Sequence, residues 1–116
     1  MDSILRSVKK MLGVADADNY FDEELILYIN SVFTILTQLG VGPAEGFSIQ
    51  DESAVWTDFV SDMTIVELTK SYMKLKVRLL FDPPTSSSVM EATNRMISEF
   101  EWRLNVQAYK EENQNE

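Results

Sequence analysis

Cysteine and histidine are both absent from this chain of 116 residues. Without thiols there is no disulfide framework, no thiolate nucleophile and no cysteine metal site. Without imidazole, Ser-His-Asp and Cys-His catalysis and the usual zinc patterns are excluded as well. Only carboxylates, lysines and hydroxyls remain for chemistry. Glycine and proline are scarce, at four and three residues, so each one punctuates the chain. No apolar run approaches the ~20 residues that span a bilayer. Met1-Asp2-Ser3 leads into an amphipathic segment rather than a continuously apolar one, so neither a signal peptide nor a membrane anchor is expected. Bases are few too: ten against nineteen acids, for a net charge of −9. The average field of such a chain repels a phosphate backbone, which argues against general adhesion to nucleic acid. A hydrophobic content of 45% supports one domain with a single modest core, soluble and inside the cell that makes it.

What is present is helical periodicity, and the clearest stretch runs from Thr64 to Pro84. Thr64 and Glu67 have the spacing of a capping box, and Asp82-Pro83-Pro84 ends the helix because proline lacks the ladder donor and disfavours a helical residue before it. At about 100° per residue, Ile65, Leu68, Tyr72, Leu75 and Leu79 share a face that Val66, Met73, Val77 and Leu80 widen. So wide an apolar arc predicts a central helix over about 64–81. Its remaining arc carries Lys70, Lys74 and Arg78, a basic ridge in an acidic chain.

Earlier, Ile4, Leu5, Val8, Met11 and Leu12 repeat at helical spacing opposite Arg6, Lys9 and Lys10, with Gly13 as the terminator. This short amphipathic helix is read as docked on the core rather than on a membrane, since it has no aromatic anchor. Asp16, Asp18 and Asn19 begin like a calcium loop, but Phe21 and Leu27 occupy the positions that need glycine and glutamate. Asp22 is read as the N-cap of a second long helix, about 23–39, with Phe21 stapled onto Ile26 and Gly40 as its end. Residues 40–62 hold most of the breakers. Asp51 is read as capping a short helix there that turns Val55, Trp56 and Phe59 inward, with Trp56 a core plug.

After a polar link, Ser88 and Glu91 read as a second capping box opening a long helix of about 89–109, antiparallel to the central one. Val89, Met90, Met96, Ile97, Phe100 and Leu104 form its predicted inner side. Trp102, Val106 and Tyr109 fall nearly opposite, so they are either a protein interface or covered by the first helix or the middle loop. Glu99 lies one turn from both Arg95 and Arg103, an exposed ion-pair row. Residues 110–116 are read as a polar tail on a single helical domain of 1–109. The fold class is all-α. With no phosphate loop, nucleophile elbow or metal motif, no catalytic, cofactor or metal site is expected, and the chain is not read as an enzyme.

Two runs carry a resemblance: Lys76-Val77-Arg78-Leu79-Leu80-Phe81-Asp82-Pro83-Pro84, and Glu99-Phe100-Glu101-Trp102-Arg103-Leu104-Asn105 after the serine-rich link. Together with the order of the other helices, they make the chain similar to the head–tail connector proteins (head-completion, DNA-packaging adaptors) of siphophages that infect Gram-positive bacteria. The resemblance implies a non-enzymatic homo-oligomeric ring between the portal protein and a tail-side head-completion or stopper protein. It also implies residence in the virion neck, with assembly in the host cytoplasm. DNA would pass through as non-adhesive channel content. On this reading Lys70, Lys74 and Arg78 meet an acidic neighbour or the portal, and Trp102, Val106 and Tyr109 pack between subunits or against another component. The alternatives are a small helical adaptor or regulator that binds one host or phage protein without a ring, and a nucleic-acid module using Arg6, Lys9, Lys10 and the ridge. The charge balance disfavours the second.

Overall fold

A computed structural model describes residues 2–114, and among them there are five helices and no strand. They are α1 (Ile4–Leu12), α2 (Asp22–Gln38), α3 (Trp56–Phe59), α4 (Met63–Phe81) and α5 (Ser87–Gln114). The all-α expectation holds, and α4 is central, packing against α1, α2 and α5. The Phe21 ring, at the start of α2, meets Phe81, at the end of α4, edge to face at 5.1 Å. The two long core helices are therefore antiparallel.

The helix ends follow elementary capping, although not always at the predicted residue. Gly13 takes φ 77°, the left-handed turn that closes α1. Asp62, not Thr64, caps α4: its carboxylate accepts from the Thr64 N–H at 2.8 Å and the Ile65 N–H at 3.4 Å. Ser86, not Ser88, opens α5, its hydroxyl accepting from the Val89 N–H at 3.4 Å. In both places several cap-competent residues stand close together, and the helix opens two residues earlier than the spacing alone suggested. Asp22 is not a cap either. It is the first helical residue of α2, which has no side-chain cap, because its carboxylate is turned towards Lys9.

Lys9 is the largest departure from the expected outer basic face. It is buried, with 3% of its surface exposed, and its ammonium lies 2.9 Å from Asp22 Oδ1 and donates to the Asp16 carbonyl at 3.1 Å. The contact with Asp22 is one of opposite charges rather than of an aimed N–H, since Asp22 Oδ1 has no directed donor. It ties α1 to the start of α2.

The middle loop is ordered by partners far away in sequence. The Asn30 side chain donates to the Ile49 carbonyl at 3.0 Å and accepts from the Ile49 N–H at 2.8 Å. This two-way clamp imitates a strand pair. Phe33, Phe47, Trp56 and Phe59 then form one aromatic cluster. Gly42, at φ 83°, lies so close that a Cβ there would sit 2.2 Å from the Phe59 ring. The short α3 is present and buries Trp56 and Phe59 as expected. Its cap is Asp58, which accepts from the Val55 N–H at 2.9 Å, while Asp51 is occupied with Ser53. Trp56 donates from Nε1 to Ser7 Oγ at 3.1 Å, locking α1 onto the loop.

On α5 the inner side is shifted from the predicted one. Ile97 and Leu104 are buried, whereas Val89 and Met96 are half exposed, at 50% and 48%. The Tyr72 hydroxyl donates to Glu101 at 2.6 Å across the α4–α5 hairpin, so a carboxylate joins the apolar residues on the inner side. Burial, and next the bond to Glu101, push the Tyr72 phenol well above its ordinary pKa. The helix also continues to Gln114, so most of the predicted tail is helical; residues 115–116 of that tail lie outside the described residues.

Candidate functional site

The six residues singled out from the sequence fall on two surfaces. Lys70 differs from the rest of its ridge. It pairs with Asp2, lies 3.9 Å from Glu67, and stands 5.9 Å from the Trp56 ring centre. With that ammonium beside it and Ser7 donating at 2.8 Å, the Asp2 carboxyl is held below its usual pKa. Lys70 is thus a structural cation joining α4 to the chain before α1. Lys74 and Arg78 are exposed, and among the described residues neither has a carboxylate within salt-bridge distance. Periodicity alone gave all three the same role. Only the position of α1 separates them.

Trp102 and Tyr109 are each 66% exposed, so neither α1 nor the middle loop covers them. Val106 is half-buried. With Tyr109 it lines a depression against Gln38, Leu39 and Gly40 at the end of α2. Asn105 secures that corner by donating to the Leu39 carbonyl at 3.0 Å, one of the end groups a helix leaves unpaired. The strip therefore stands on a braced part of α5. Of the expected ion-pair row, Glu99 meets Arg103 at 2.8 Å, and among the described residues Arg95 makes no such pair.

Two further surfaces lie elsewhere, the first of them at the basic face of α1 and the second unmarked by any motif. The larger depression, at α1, is lined by Arg6, Lys10, Asp16 and Lys70 among others. Its charges are mostly matched internally, Arg6 lying 3.1 Å from Glu52 and 3.8 Å from Asp16. The other is a shallow depression on α4 lined by Met63, Thr64, Glu67, Leu68 and Ser71. Met63 and Leu68 differ in azimuth by more than a third of a turn, so no single stripe in the sequence marks them. None of these surfaces gathers an activated nucleophile with a base. What they offer is contact area, with apolar and charged groups held on rigid helices.

A family model described as phage connector protein matches residues 4–111, nearly the whole chain. The chain belongs to that family. No curated protein and no solved structure matches it. The connector is accordingly a structural phage protein of the virion neck, where it contacts head and tail components. Among its described residues no helix is long and apolar enough to cross a membrane.

Proposed function

We propose that the connector assembles with copies of itself as a ring between the portal and a tail-side head-completion or stopper protein. The ring extends the DNA channel and completes the head. The protein does this without catalysis, and its assembly takes place in the host cytoplasm. The observation that carries this reading is the pair of bare aromatics on α5, Trp102 and Tyr109, in a chain of the connector family. Large aromatics left in water on a rigid helix are what an interface would bury. The net charge of −9 supports the channel role, since DNA slides past an acidic wall without adhering.

The test is solution mass by light scattering across a concentration series, alone and with portal rings from the same phage. A ring-sized species, or capture by portal in the absence of DNA, is expected. The double variant Trp102→Ala with Tyr109→Ala is expected to abolish that assembly while changing folding stability by no more than about 0.5 kcal/mol, as for exposed positions. A monomer at every concentration that ignores portal would favour a one-partner adaptor instead.

A further inference from the structure

We propose that the occupant of the α4 depression is the Trp102–Tyr109 pair of a second copy of this chain, so that successive connectors interlock in one direction around the ring. This inference rests on the ring reading above and specifies its interface.

The argument begins with height along the hairpin. Tyr72 and Glu101 are in contact, and α4 and α5 run antiparallel. One residue forward on α4 is therefore level with one residue back on α5. By that rule Trp102 is level with Ser71 and Tyr109 with Thr64, the two residues that bound the depression lined by Met63, Thr64, Glu67, Leu68 and Ser71. The aromatic pair and the depression each span about 10 Å, at ~1.5 Å per residue. Rotation about an axis parallel to the hairpin preserves height. A knob and a socket at equal height on one molecule thus meet on adjacent molecules of such a ring.

The two features also face different ways. Tyr109 opens towards the end of α2, whereas the depression lies on α4 opposite its buried residues Ile65, Val66, Thr69 and Met73. A patch that met its own copy would give a closed two-fold dimer, but unlike patches on separate flanks give a head-to-tail series that closes as a ring.

The chemistry matches as well. Met63, 57% exposed, and the half-buried Leu68 supply an apolar floor. The indole N–H of Trp102 and the hydroxyl of Tyr109 are donors that need acceptors once buried. Glu67, Thr64 and Ser71 provide them.

The absence of cysteine makes the test free of background from the connector itself. A chain carrying both Trp102→Cys and Ser71→Cys, treated with a short bis-maleimide alone and on portal rings, is expected to give a ladder of covalent multimers. Each single variant should give none, because like positions do not meet. The pair Tyr109→Cys and Thr64→Cys repeats the test at the other end of the depression and serves if the first pair disturbs folding. Dimers from Trp102→Cys alone would overturn the proposal in favour of a two-fold contact. A ring of full mass without a ladder from either pair would overturn this interface and leave the ring standing. No assembly of the unsubstituted chain, with or without portal, would overturn both.

Discussion

The α1–α2–loop region and the outer surface of α5 use the same kinds of side chain in opposite ways. In the first, polar groups point inwards and are matched within the chain: Lys9 with Asp22, Asn30 with Ile49, the Trp56 indole with Ser7. On α5 the indole of Trp102 and the phenol of Tyr109 face water. An unmatched polar group is costly only once it is buried. One region has been completed by folding, and the other leaves its donors and apolar area in water.

The sharpest way to break this contrast is at Lys9. Asp22→Ala would leave a buried ammonium with one carbonyl partner, and a loss of about 3 kcal/mol is expected, because removing one member of a buried pair strands the other. Adding Lys9→Met to that variant should restore most of the stability. If denaturant unfolding shows no recovery, the pair is not the reason Lys9 is inside. A smaller effect, about 1–3 kcal/mol, is expected from Asn30→Ala, which removes both halves of the loop clamp at once. Hydrogen exchange should then show the Ile49 amide exposed while α4 remains protected. The smallest effect concerns Tyr72. Its phenol titrates higher in the folded chain than in the unfolded one, so its contribution is complete below pH ~10 and declines as pH rises through the folded-state value. Tyr72→Phe should flatten this alkaline decline and leave the acid side unchanged.

Much of the fold could be read from residue spacing. Gly13, Gly40 and the Pro83-Pro84 pair bound helices whose existence and order need no tertiary information. The wide apolar arc of α4 already required neighbours on several sides. Spacing failed where a residue's partner is distant in sequence. Lys9 was assigned outwards because its own helix offers it no acid. Phe47 and Ile49 went unassigned because their neighbours Phe33 and Asn30 lie on another helix. Met96 turned outwards and Glu101, which no spacing had marked, turned towards Tyr72, a partner on another helix. The same limit applies to the site. The outward placement of Trp102 follows from counting around α5, although not that it stays uncovered, whereas the depression on α4 emerges only once α1, α2 and α5 have taken the other faces.

The way α1 is held has a consequence for the order of folding during synthesis. The Ile4 N–H donates to the Ala54 carbonyl at 3.0 Å, Trp56 reaches Ser7, and Lys70 reaches Asp2. Helix α1 thus meets Asp16 and Asp22 early through Lys9, but gains these three contacts only once Ala54, Trp56 and Lys70 have been made. Until then Ile4, Leu5 and Val8 stay open to water or to a chaperone. Closing so long a loop sets the pace of folding more than it sets final stability. Helix α1 therefore completes its docking well after it is made, and a pause in translation before Trp56 would prolong the exposure of its apolar face.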